Sequence, residues 1–347
     1  MTEKLERYLE DIESRLDPAQ EDEILQYWKN WSDHRVSAVK QPRNLRGVPS
    51  RLEWPHININ DALEDDELMV LKEFSRVDDM LARKGSYPLR VRCNYGVANV
   101  ASAFGAELFI MPRETDTLPN VKKLGEDGCA GLLDRPLPGI GDGNFKDVFR
   151  VGRLFRQIMD TYPRIGRYVH CEQPDLQGPM DNLELLWGSE LFYALYDDPD
   201  TIHALLDKIA SFMELILDEW LKLFPENTGR ANFFRHTEKG SIVIRDDSAM
   251  NLSPDIYEEF SVPYDAKLLA RFGGGAMHFC GRGDHYIELL SRIDGMYGIN
   301  MSQPEYNDME TVYRNTVDKG IKILGFSAGR ASGDLSRPGG FRHCLSV

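Results

Sequence analysis

The chain has 347 residues, enough for one large domain or two smaller ones, and its 42% hydrophobic content can build a substantial core. A formal net charge of -15 argues against a nucleic-acid partner, because a phosphate backbone is gripped by clustered Lys and Arg. No run has the apolar length needed to cross a bilayer, so no membrane partner is expected.

In chain order, residues 2–40 predict helix. Leu5, Leu9, Ile12 and Leu16 fall at helical spacing, Pro18 interrupts, and Ile24, Tyr27, Trp28 and Trp31 continue the apolar face. The first residues are charged with both signs and lack an apolar signal core, from which a cytoplasmic location is expected. Residues 41–60 contain Pro42, Pro49 and Pro55 and predict irregular chain, followed by a helix over 61–84 opened by acidic residues. After Pro88 the rhythm changes. Strands are predicted at 89–93, 107–111, 129–133, 167–172, 241–245, 275–280, 296–300 and 321–325. Helical stretches lie between them at 145–163, 179–196, 199–223, 254–271, 284–293 and 307–319, with Ser253-Pro254 a capping hydroxyl and first-turn proline. Such alternation predicts an α/β fold with parallel strands, and eight strands over about 250 residues favour a (β/α)8 TIM barrel. The expected organisation is an N-terminal helical extension, 1–85, packed on a barrel formed by 86–347. No G-x-G-x-x-G follows a strand, which leaves a dinucleotide-binding fold without its main support.

Barrel chemistry collects where strands end. The predicted ends offer Arg92, Asn94, Tyr95 and Asn300 as substrate-binding groups, and Glu172, Asp246 and Asp247 as catalytic carboxylates. Asp246 and Asp247 are adjacent, so one of them should face inward. The most informative stretch is Phe272-Gly-Gly-Gly-Ala-Met-His-Phe-Cys-Gly281. On a strand, side chains two apart share a face, which sends His278 and Cys280 the same way. A catalytic zinc commonly has three protein ligands and one open position. Cys344 is the natural third ligand, with His343 and Glu172 in reserve. The five cysteines are odd in number and widely spread, which suits thiol or metal chemistry better than a disulfide framework. The plainer alternative is a buried histidine and a cysteine acting as a small hydrophobe.

Several blocks together resemble the uroporphyrinogen decarboxylase superfamily. They are Ser241-Ile-Val-Ile-Arg-Asp-Asp247, the segment Leu252-Ser-Pro-Asp-Ile-Tyr-Glu-Glu-Phe-Ser-Val-Pro-Tyr264, and Met277-His-Phe-Cys-Gly281. The last is similar to the H-x-C-G of the cobalamin-associated methyltransferase branch. Residues 190–213, with Tyr196-Asp-Asp-Pro199, are similar to a helix pair of the same superfamily. The resemblance spans roughly 85–347 and implies a (β/α)8 barrel with zinc on His278, Cys280 and a later cysteine, here Cys344. It also implies methyl transfer between a corrinoid protein and a small thiol, folate or methylated substrate. The chain has no D-x-H-x-x-G segment, so cobalamin would belong to the partner protein. The first strand, Leu89-Arg-Val-Arg-Cys-Asn-Tyr-Gly96, lacks the arginine-rich segment of the true decarboxylases, which argues against tetrapyrrole decarboxylation. Two other expectations stay open: a metal-free decarboxylase or lyase using Arg92, Arg113 and Asp247 on a carboxylate substrate, or a non-catalytic binding barrel. A homodimer is compatible with either.

Overall fold

The computed structural model describes residues 1–35, 45–325 and Cys344. Helices α1 (Glu3–Arg15), α2 (Pro18–Ser32), α3 (Ile59–Glu64) and α4 (Asp66–Ala82) form the N-terminal part. They start where the sequence supplies caps: Thr2, Asp17, Asn58 and Asp65 each accept a hydrogen bond from a first-turn amide. Strand β1 (Leu89–Val91) follows, then α5 (Asn99–Ala103), β2 (Leu108–Phe109), β3 (Asn120–Val121), α6 (Gly125–Ala130), α7 (Phe145–Thr161), α8 (Pro163–Tyr168) and β4 (Val169–Cys171). The helices α9 (Pro179–Trp187), α10 (Leu191–Asp197) and α11 (Pro199–Leu223) lead to a hairpin of β5 (Arg230–Phe233) and β6 (His236–Lys239). The chain continues through β7 (Ile242–Arg245), α12 (Pro254–Phe260), α13 (Val262–Arg271), β8 (Gly275–Phe279), α14 (Ile287–Leu290), β9 (Met296–Met301), α15 (Met309–Asn315) and β10 (Lys322–Leu324).

This is a mixed α/β fold with parallel strands. Among the described residues, β7, β8, β9 and β10 form one parallel sheet in the order β10-β9-β8-β7, and β1 pairs in parallel with β4. Six of the eight predicted strands are therefore present as parallel strands. The run at 107–111 gives only the short β2, antiparallel to β3. The run at 129–133 is not a strand: Cys129 and Ala130 end α6, and a turn follows. The β5–β6 hairpin was not expected.

Alternation divides the sheet into two environments. On one face Ile242, Ile244, Met277, Phe279, Ile299 and Ile323 join the large core beneath the helices. On the other face Val243, Ala276 and Leu324 pack against Ile24, Trp28 and Trp31 of α2. Helix α2 thus covers the start of this second face. Trp28 is fully buried, and its indole N–H donates to the Ser86 carbonyl at 2.5 Å. Further along the strands the same face turns polar. Gly275 lets β8 enter beside β7, since a Cβ there would lie 1.9 Å from the Ile242 carbonyl oxygen.

Candidate metal centre

The polar end of this second face is built from a cross-strand row. Arg245 of β7, His278 of β8, Asn300 of β9 and Leu324 of β10 are register partners, one strand to the next. Two residues beyond His278, Cys280 returns to the same side. Gly281 then takes φ +72, and a Cβ there would meet the Met250 sulfur at 2.6 Å, so glycine is needed for the turn.

Asp247, His278 and Cys280 place one ligand atom each within 4.8 Å of one another, a group that could hold a metal ion. His278 Nε2 lies 3.5 Å from Asp247 Oδ1 and 3.6 Å from Cys280 Sγ. The backbone amide of Cys280 donates to Asp247 Oδ1 at 2.8 Å. Asn300 determines the histidine tautomer. Its Nδ2 donates to the Leu324 carbonyl at 2.7 Å, leaving Oδ1 to accept from His278 Nδ1 at 2.6 Å. The ring proton is thereby assigned to Nδ1, and the Nε2 lone pair faces the carboxylate and the sulfur. An imidazole nitrogen, a thiol and a carboxylate are donors that suit a divalent transition-metal ion with an open position.

Electrostatics at the group reflect its burial. Burial pushes the His278 imidazole below its ordinary value, with the Arg245 charge adding to the effect and Asp247 opposing it. Burial also raises the Cys280 thiol, and the nearby Asp247 charge works in the same direction. Both shifts favour the neutral forms of this histidine and this thiol. A bound cation would reverse the thiol's preference. Ser302 Oγ lies 3.4 Å from Cys280 Sγ. Beneath Asp247, the Asp181 carboxylate accepts from the backbone amides of Asp247 and Ser248 at 2.8 and 2.7 Å, which fixes the turn. Burial raises the Asp181 carboxyl to about 7.

The side wall comes from the unexpected hairpin. Its tip, Phe234-Arg235, has φ values of +47 and +71, a conformation matched to tight hairpins but unusual for side chains of this size. Phe234 stacks on His278 with ring centroids 5.4 Å apart, and the Arg245 guanidinium lies over its ring at 5.6 Å.

The remaining predicted residues are distributed differently. Cys344 is not brought to His278 and Cys280. Its carbonyl accepts from the Ile323 amide, and its buried sulfur lies 3.7 Å from His34 Nδ1 and 3.9 Å from the Val317 carbonyl. The third donor is Asp247 instead. His343 lies outside the described residues. Of the adjacent acidic pair, Asp246 is the one turned away: it lies on the helix-covered side, buried, with no hydrogen-bond partner for either carboxylate oxygen. Burial and the neighbouring Asp265, Asp181 and Asp247 charges push its carboxyl well up. Glu172 is buried and paired with Arg90 at 2.5 Å, outside the metal group. Arg92 lines a cavity beside that pair. Asn94 and Tyr95 are buried, and Tyr95 belongs to the large core. Asn300 holds His278 rather than standing free for a substrate. Arg113 pairs with Asp61 at the surface. Asp181 and Ser302 were missed, and no spacing in the sequence ties either of them to the His-x-Cys pair.

No protein-family model and no curated protein matches the chain.

Proposed function

We propose that this chain is a metal-dependent enzyme, with zinc held by Asp247, His278 and Cys280, that moves a methyl group to or from a small thiol. The observation that carries the reading is the convergence of three unlike donors within 4.8 Å, with the histidine tautomer fixed so that Nε2 faces the other two. In this reading the six parallel strands belong to a (β/α)8 barrel of the uroporphyrinogen decarboxylase type. A corrinoid partner would carry the methyl group. Zinc, when bound, would supply the Lewis acidity that keeps a substrate thiol ionised near neutral pH. His278, positioned by Asn300, would give its Nε2 to the site, and Phe234 would shield that nitrogen from water. Cys280 would give its sulfur and Asp247 one oxygen, leaving a position for substrate. The partner's corrinoid, when docked, would supply the methyl group, and Asp247, His278 and Cys280 would hold the ion that favours the ionised form of the accepting thiol. The alternative of a metal-free decarboxylase loses Arg113, which is engaged with Asp61 away from the group.

Elemental analysis of purified protein tests the reading. Wild type and Cys344→Ala should each carry about one equivalent of zinc, and Cys280→Ala and His278→Ala should carry little. Full zinc in Cys280→Ala, or its loss in Cys344→Ala with wild-type folding, would overturn this ligand set.

A further inference from the structure

A cavity of about 540 Å³ lies between α4 and the ends of β1 and β4. Its walls are cationic in a chain of net charge -15. Four of the lining arginines are already engaged: Arg46 with Glu21, Arg76 with Glu73, Arg83 with Asp79, and Arg90 with Glu172. Lys84, Arg92 and Arg235 also line it, and none of these three forms an ion pair among the described residues. Arg92 Nε is buried with no hydrogen-bond partner, which is costly for a charged group unless something fills the space beside it. The three arrive from three directions: the end of β1, the strained hairpin tip and the chain after α4.

We infer that this cavity is a binding site for a phosphate-bearing small molecule, held by Arg92, Arg235 and Lys84. The volume lies in the range of small-molecule sites. A carboxylate is planar and is satisfied by a single arginine fork. A phosphate group presents three oxygens in a tetrahedral arrangement and more charge, and so uses cations converging from several sides. A second, smaller cavity of about 170 Å³ shares Arg90, Arg92 and Glu172 with the first and extends to Phe234 and Arg245. Phe234 is the ring that stacks on His278. The smaller cavity therefore reaches the ring that separates it from His278. The walls contain none of Asp247, His278 and Cys280, so phosphate binding does not depend on the metal reading.

Calorimetric titration at low salt with inorganic pyrophosphate and with citrate tests the inference, using wild type, Arg92→Ala, Arg235→Ala, Arg292→Ala and Cys280→Ala. Pyrophosphate should bind wild type more tightly than citrate. Arg92→Ala and Arg235→Ala should each weaken it at least tenfold, whereas Arg292→Ala, in the exposed turn after α14, and Cys280→Ala should bind as wild type does. Arg235 is exposed at a hairpin tip, so its removal should leave the thermal transition unchanged even if Arg92→Ala is destabilised. Absence of pyrophosphate binding, tighter binding of citrate, or unchanged affinity in Arg235→Ala would each overturn the proposal. Loss of zinc from Cys280→Ala with pyrophosphate binding intact would separate the two sites' fates.

Discussion

His278 depends on one neighbour for its orientation. Asn300 can accept from Nδ1 only because its own amide N–H₂ is committed to the Leu324 carbonyl. Asn300→Ala removes the acceptor, frees the ring to rotate and allows the other tautomer. Metal affinity should fall by about 10–100-fold, the range found for such supporting partners, while fold stability changes little. Competition with a chelator measures this directly, and unchanged affinity would count against the assigned tautomer. The His278–Cys280 pair was legible from sequence because strand geometry has a period of two and the glycines flag the strand's entry and exit. Asp247 was legible only as half of an adjacent acidic pair. Which half faces the metal group depends on how the chain leaves β7, and Asp181 controls that through the Asp247 and Ser248 amides. Cys344 was chosen by residue type and position after the last strand. Its carbonyl instead bonds to β10, and its sulfur is directed towards His34.

At the scale of elements, strands that pack on both faces were the easiest to recognise. The runs giving β7, β8, β9 and β10 are mainly apolar, and all four are present in one sheet. The run Cys129-Ala-Gly-Leu-Leu133 has similar hydrophobicity but ends a helix, because hydrophobicity alone does not distinguish a short strand from a buried helical turn. The β5–β6 hairpin was hidden for a different reason. Its tip has Phe and Arg where tight turns usually have Asn and Gly, so the ordinary signal is missing. Helix α2 was recognised as an amphipathic arm, and its role is to close one face of the sheet. Trp28 is wholly buried there, with Trp31 edge-on at 5.4 Å and His236 at 4.7 Å. Trp28→Ala should cost about 3–5 kcal/mol, read as a lower urea midpoint. A shift within experimental error would mean that α2 is not part of the core.

Over the whole molecule, the net charge of -15 conceals a local inversion, in which arginines and a lysine gather around one cavity. The overall sum argues against a nucleic-acid surface but hides that cluster, in which five cations from residues 76–92 are joined by Arg46 and Arg235. Charge also limits the pH range of stability. His236 is buried with neither ring nitrogen hydrogen-bonded, and burial, helped by the Arg90 and Arg235 charges, lowers it from 6.5 to about 3. Between those values the unfolded chain binds a proton that the folded chain does not, so stability falls as the pH drops. The slope from this one group is at most about 1.4 kcal/mol per pH unit. Urea titrations at about pH 6 and pH 4 should therefore show a smaller loss for His236→Phe than for wild type, and equal losses would remove His236 from the account. The packing of α2 on the second face of the sheet bears on the order of events in folding. Trp28 and Trp31 share one core with Leu324, and Lys322 Nζ lies 3.1 Å from His34 Nδ1 across a separation of 288 residues. Contacts of such separation close late, because most of the chain must be ordered before they form. During synthesis, β10 becomes available to α2 only after the long stretch of chain between Ser32 and Lys322 has been made. Asn300 relies on the Leu324 carbonyl of that same strand. A nascent chain that stops short of β10 would therefore leave His278 without a fixed tautomer.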